Sequence, residues 1–241
     1  MSLPLRVVLV APRNPLNIGA AARAMSNFGF FDLRLVNPYH VAFQEAKSAV
    51  KAQGVLRAAR EFRTLAEAVA DCELVVGTTS RGPRALEHPL VRLETGGKRM
   101  VKKLASGPAA LLFGSEKFGL SNEDLSHCHW LIRIPTREEH GSMNLGQAVA
   151  VCLYEIIRNP AARPQKRTQP AAQAGDLERM TQLLEELLAR SGYVHAGTGA
   201  STRMKLRRLI RRMDLTAHDA GVWLGMLRQI RWRLVSYQEK E

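Results

Sequence analysis

Residues 111–158 read LLFGSEKFGLSNEDLSHCHWLIRIPTREEHGSMNLGQAVAVCLYEIIR, and the alternation inside this stretch decides the fold. Leu111–Phe113, with Ala109 and Ala110 before it, is a short apolar run stopped by Gly114, the pattern of a buried strand. Ser115, Glu116 and Lys117 place three polar groups at its carboxyl end, where open α/β sheets bind ligands. Ser121, followed by Asn122, Glu123 and Asp124, opens a short helix. Trp130–Ile134 alternates as a strand and stops at Pro135. A polar loop, Thr136–Met143, leads to Asn144, a good N-cap for the apolar helix Leu145–Ile157. That helix carries no charge before Glu155 and is expected to be buried. A polar loop between a buried strand and a buried helix is either a plain surface connection or a ligand site.

Toward the N-terminus the same alternation continues. Leu5–Ala11 is an apolar strand and Pro12–Pro15 a stiff loop. Asn17 is placed to cap an alanine-rich helix that runs to Phe28 and ends at Gly29. Arg23 stands alone among alanines, as a solvated charge or one aimed at something. Phe31–Asn37 is a second strand, Phe43–Gln53 a helix, and Thr64–Ala70 a helix with Thr64 and Glu67 in capping-box spacing. Leu74–Gly77 is a third strand, with Thr78, Thr79 and Ser80 at its carboxyl end. Arg81–Gly97 has no periodicity and reads as irregular, and Lys98–Ser106 as a helix with four bases. Strands alternating with helices predict an α/β domain, a mostly parallel sheet with helices on both faces.

Beyond this domain, set at 1–158, residues 159–175 have linker composition, with three prolines and no periodic apolar positions. Asp176–Arg190 is an amphipathic helix, Ser201–Met213 a second and Thr216–Tyr237 a third, so 176–241 makes a small α-helical extension. Its second helix carries Arg203, Lys205, Arg207, Arg208, Arg211 and Arg212 within ten residues. The chain of 241 residues has net charge +13. Residues 1–157 hold 19 bases against 14 acids, and residues 158–241 hold 16 against 8. A one-sided basic tail beside an enzyme-like core points to a polyanion such as RNA.

Other classes are excluded or set aside. No apolar run approaches the roughly 20 residues of a membrane helix, and the N-terminal stretch lacks the basic region of a signal peptide. Cys72, Cys128 and Cys152 sit in or beside apolar elements, as buried thiols in a reducing cytoplasm. His127-Cys128-His129 lacks the second ligand pair of a metal site, so no metal is expected. Neither G-x-G-x-x-G after a strand nor G-x-x-x-x-G-K occurs, which argues against NAD and ATP.

F-G-S-E-x-x-G-L at 113–120, I-P at 134–135, S-M-N-L at 142–145 and N-x-G-A-x-A-R-A at 17–24 resemble, in order, the motifs of the SpoU/TrmH branch of the SPOUT RNA methyltransferases. The resemblance implies a parallel-sheet domain whose C-terminal half is a deep trefoil knot, a homodimer with its active site between subunits, and S-adenosylmethionine (S-adenosyl-L-methionine) held by the knot loops. Carried over by position, the cofactor contacts are Thr78, Thr79, Ser80, Gly114, Glu116, Ile134, Ser142, Met143 and Leu145. The catalytic group is Asn17, Arg23, Glu116, Ser142 and Asn144. Arg23 either stabilises the developing alkoxide and a phosphate or removes the proton; the first is favoured because a guanidinium has a pKa above about 12. Ser115 departs from the family, in which many relatives have a second basic residue. The tail, with KLRRLIRR at 205–212 and GVWLGMLR at 221–228, resembles that of a tRNA-acting group in this branch. That group methylates the ribose 2′-hydroxyl of cytidine or uridine at the first nucleotide of the anticodon loop, position 32. Ribosomal RNA is the alternative substrate, and a catalytically silent RNA-binding protein the alternative class.

Overall fold

The computed structural model describes residues 3–39, 53–80, 87–137, 139, 141–158, 169–195 and 197–238. Seven strands are present among them: β1 (Leu5–Val10), β2 (Asp32–Val36), β3 (Arg60–Phe62), β4 (Leu74–Thr78), β5 (Leu90–Arg92), β6 (Ala109–Phe113) and β7 (Trp130–Arg133). They form one sheet in the order β3-β2-β1-β6-β4-β7-β5, and every pairing is parallel. The helices are α1 (Pro15–Asn27), α2 (Gln53–Ala58), α3 (Leu65–Val69), α4 (Leu93–Leu104), α5 (Asn122–Ser126), α6 (Leu145–Arg158), α7 (Ala174–Arg190), α8 (Gly199–Arg212) and α9 (Ala217–Gln238).

The central strands are apolar at nearly every position because both faces are covered. Val7, Leu9, Leu111, Phe113 and Val76 pack with Ile18 and Met25 of α1, Met100 of α4 and Val149 and Leu153 of α6. Val8, Val10, Ala110, Leu112 and Val75 pack on the other face with Leu65 and Ala68 of α3 and Leu125 of α5. Leu9 is opposite Phe113, and Thr78 opposite Ile132. The carboxyl ends of β1, β6, β4 and β7 therefore lie level, and their loops meet at one edge of the sheet.

The first helix begins earlier than Asn17. Asn14 is its cap, with Oδ1 accepting from Leu16 N at 2.9 Å, and Pro15 follows in the first turn. Asn17 is thereby released for another partner. The Thr64–Glu67 and Ser121–Asp124 capping boxes both form. The reading of 81–97 as irregular fails from Leu90 on, where β5 leads directly into α4. Gly96 and Gly97 are packing residues inside that helix, since a Cβ on either would lie 2.8 Å from Ile132 or Glu155 side-chain carbon. The helix placed at Phe43–Gln53 lies outside the described residues apart from Gln53, which opens α2. β3 carried no sequence signal. Helix α6 is buried on one face only: Val151, Tyr154 and Ile157 are exposed on the other.

The expected linker also ends earlier. Ala171, Ala172 and Ala174 are buried, and α7 starts at Ala174. Ala174 N donates to Cys72 O at 2.8 Å and Gly175 N to Ala70 O at 3.0 Å, which fastens the start of α7 to the end of α3. Helices α7, α8 and α9 share a small core of Leu177, Met180, Leu187, Ile210, Ala220, Leu224 and Leu227.

Candidate functional site

The loops after β4, β6 and β7 and the start of α6 enclose a cavity of about 380 Å³. It is lined by Thr78, Thr79, Ser80, Gly114, Glu116, Ile134, Ser142, Met143 and Leu145, all nine positions named for the cofactor. Asn17 and Asn144 line it as well. Arg23 does not. It lies on the exposed side of α1, about 9 Å along the axis from Asn17 at 1.5 Å per residue. Among the described residues its side chain has no ion pair or hydrogen bond.

The floor is built around Glu116. Oε1 accepts from Asn14 N at 3.1 Å and Asn17 Nδ2 at 3.0 Å, and Oε2 accepts from Arg13 N at 3.2 Å. Asn17 Oδ1 in turn accepts from Asn144 Nδ2 at 2.8 Å, and Asn144 Oδ1 accepts from Gly146 N and Gln147 N at 3.0 and 3.3 Å. One chain of hydrogen bonds thus runs from the β1–α1 loop through Glu116 and both asparagines to the N-terminus of α6. Partial burial alone would raise the Glu116 pKa, but the Asn17 amide and the backbone N–H groups at 116, 13 and 14 outweigh it and hold the carboxyl below its ordinary value. Both Glu116 oxygens are thus engaged, and the carboxylate anchors the β1–α1 loop and the Asn17 amide.

Close backbone approach makes this geometry. A Cβ on Gly114 would fall 1.9 Å from Gly119 C, and Gly119 has φ +66°. Gly119 N donates to Ser115 O at 2.8 Å, closing loop 115–119 on itself. A Cβ on Gly146 would sit 2.5 Å from Ala20 Cβ, so α6 and α1 approach closely enough for Asn144 to reach Asn17. Thr78 Oγ1 donates to Leu112 O at 2.8 Å, and Thr79 N to Ile132 O at 3.0 Å. These bonds tie the β4 loop to its neighbours. Ser142 is exposed at the mouth.

The donor set suits an adenine nucleoside. The volume is that of a small-molecule pocket, Ile134, Met143 and Leu145 offer apolar walls, and threonine, serine and loop backbone supply the polar groups. The sequence reading missed the amides of Arg13 and Asn14, whose role is set by a contact across 102 residues. It also missed Phe118 on the rim, beside Lys117, which it had placed at this end of the strand.

Four of the six bases named on α8 for RNA are engaged within the protein. Arg207 is 4% exposed; its Nε and Nη2 donate to Glu178 at 2.8 Å, and its Nη1 reaches Glu123 and Ser126, each at 2.8 Å. Arg211 is 3% exposed and donates to Ala174 O at 3.3 Å. Arg208 pairs with Glu87, and Arg203 with Glu185 at 2.7 Å. The assignment of Arg207 and Arg211 to RNA is therefore corrected: they bind α8 to α5 and α7. Lys205 and Arg212 are exposed, without an ion pair among the described residues.

His127, Cys128 and His129 point to separate partners. His129 Nδ1 accepts from Val75 N at 3.1 Å, His127 lies 3.9 Å from Glu178, and Cys128 donates to Asp124 O. Among the described residues no group of three His, Cys, Asp or Glu side chains could hold a metal ion, and no helix is long and apolar enough to cross a membrane.

Comparison with known proteins gives a consistent result. The family described as SpoU rRNA methylase matches residues 4–154. A tRNA (cytidine/uridine-2′-O-)-methyltransferase TrmJ from Sodalis glossinidius is 35% identical over 234 residues, covering 94% of this chain and 91% of its own. The crystal structure of TrmJ from Z. mobilis ZM4 superposes with a TM-score of 0.81 at 33% identity, covering 94% of this chain and 98% of that one. A structure described as giving insights into 2′-hydroxyl methylation of C/U34 on tRNA ("2-OH" in its own wording) superposes at 0.51 with 28% identity, covering 64% of this chain and 94% of that one.

Proposed function

The chain belongs to the SpoU rRNA methylase family, and from that premise we propose that it transfers a methyl group from S-adenosylmethionine to the ribose 2′-hydroxyl of cytidine or uridine in tRNA. The observation that carries this reading is the hydrogen-bonded chain Glu116–Asn17–Asn144 on the floor of a nucleoside-sized cavity. When bound, S-adenosylmethionine supplies the methyl group and a neutral thioether as leaving group. Thr78, Thr79, Ser80, Ile134, Ser142, Met143 and Leu145 hold it, and Gly114 keeps the β6 loop close enough to complete the wall. The expected knot belongs to this reading, since β4 lies between β6 and β7 and its loop is bonded to β7.

Glu116 fixes Asn17, and Asn17 fixes Asn144, so that neither amide needs to reorganise when the hydroxyl arrives. Ser142, at the mouth, is placed to orient the ribose. Arg23 supplies positive charge for the phosphate and the developing alkoxide, and it does so in a homodimer. The exposed stripe Leu16, Ala20, Arg23 and Asn27 of α1 runs beside the exposed Val151 and Tyr154 of α6. Covering this apolar strip with a second copy carries Arg23 to the partner's cavity.

The finer substrate assignment is the first nucleotide of the anticodon loop, with the basic tail holding the tRNA. A second reading, nucleotide 34, has support in the structure whose description names C/U34. That structure spans only 64% of this chain, whereas the TrmJ structure spans 94%, and the tail favours the first reading. Incubation with S-adenosylmethionine and unmodified tRNA, followed by nucleoside analysis, should yield 2′-O-methylcytidine or 2′-O-methyluridine. Methyl groups on bases, or none, would refute the proposal.

A further inference from the structure

Phe118 is 77% exposed, the most exposed large apolar side chain among the described residues. It stands on the rim of the cavity, two residues from Glu116 and so at most about 7 Å along the chain from the catalytic floor. The loop beneath it is held by hydrogen bonds. Gly119 N is bonded to Ser115 O, Phe118 N donates to Ser115 Oγ at 3.4 Å, and Glu116 is fixed by Arg13, Asn14 and Asn17. An aromatic ring displayed on a loop held in this way beside a reaction centre loses little freedom when a flat ligand covers it. The Lys117 ammonium lies 5.1 Å from the ring centroid and covers at most one face. Lys117 on the rim and Arg13, whose backbone N–H is bonded to Glu116, are both exposed.

We infer that Phe118 is the stacking platform for the base of the nucleotide whose ribose is methylated, a nucleobase subsite that completes the cavity on its open side. This rests on the proposed RNA methyl transfer. An aromatic face beside a cation is the chemistry that holds an unpaired nucleotide, base against ring and phosphate near ammonium. Stacking is tolerant of base identity, so this platform accepts cytidine and uridine alike.

The test is steady-state methylation of tRNA by the full-length wild type, Phe118→Ala, Phe118→Leu and Phe118→Trp, with cofactor affinity by calorimetry, melting temperature and light scattering for each. Phe118→Ala should lower kcat/KM for tRNA about 5- to 150-fold, with KM carrying most of the change. Phe118→Trp should retain the wild-type value, and Phe118→Leu should resemble Phe118→Ala. Cofactor affinity, melting temperature and oligomeric state should not move. Wild-type kcat/KM in Phe118→Ala, or in Phe118→Leu, would overturn stacking. A loss of cofactor affinity matching the loss of rate would make Phe118 a cofactor wall, and loss of the dimer would make it a subunit contact; either overturns the inference. If the wild type methylates no tRNA, the proposed function itself fails; if it does and Phe118→Ala equals it, only the platform fails.

Discussion

Arg211 has Nε and Nη1 buried without a partner, and burial pulls its pKa down to about 10. A base whose folded pKa is depressed opposes folding at neutral pH, and the penalty is relieved only as pH rises through that value. Arg211→Met should therefore leave stability unchanged or raise it by about 1 kcal/mol in urea unfolding. It should also leave the salt dependence of tRNA binding unchanged, where loss of a true phosphate contact would flatten the slope by about one unit. Arg207→Ala is expected to behave oppositely. It strips the partner from buried Glu178 and should cost about 3–5 kcal/mol. Glu116 gives a pH prediction. Its depressed folded pKa adds stability that is present above the unfolded value, near 4.5, and is lost as pH falls through the lower folded value. The pH profile of methyl transfer should consequently show no limb from Glu116 between about pH 5 and 8. A limb near neutrality that disappears in Glu116→Gln would contradict its role as an anchor.

Helices α1 and α6 bring the Asn17 and Asn144 amides together only because Gly146 lets them touch. Gly146→Ala must push them apart by enough to cost about 1–3 kcal/mol and stretch the Asn144–Asn17 bond. Methyl transfer should fall more than cofactor affinity, as measured by single-turnover kinetics beside calorimetry. Equal losses would mean that the asparagine pair does not control the reaction. At this scale the sequence was informative where a local signal exists. The Thr64–Glu67 capping box, the helix start at Ser121, the apolar runs of β1, β4, β6 and β7 and the three tail helices all form, although Trp223, Ile230 and Leu234 of the third are exposed. It misled where tertiary contact assigns the residue: Gly96 and Gly97 fell in a segment read as irregular and are contact points inside a helix, and Asn17 looked like a cap until Asn14 took that place. The bases on α8 looked like one RNA-facing cluster because helical spacing does not record that Glu178, Glu123 and Glu87 come from elsewhere in the chain. The nine positions named for the cofactor do line one cavity, since strand order brings their loops to one edge of the sheet and close glycine contacts and loop hydrogen bonds hold them there.

Over the whole molecule, the helical tail is docked and not tethered. Its first turn is bonded to Ala70 and Cys72, and Arg207 reaches α5. Removing residues 174–241 should leave cofactor binding intact, lower the melting temperature of the remaining domain, and weaken tRNA binding with a shallower salt slope. Unchanged tRNA affinity and slope would remove the tail from substrate binding. Site-resolved mapping of 2′-O-methylation on total RNA from cells with and without the protein shows whether this cavity methylates a ribose in tRNA. One mark should be lost, on a cytidine or uridine at the first nucleotide of the anticodon loop. A mark lost only from ribosomal RNA, or no mark lost at all, would contradict the proposed function.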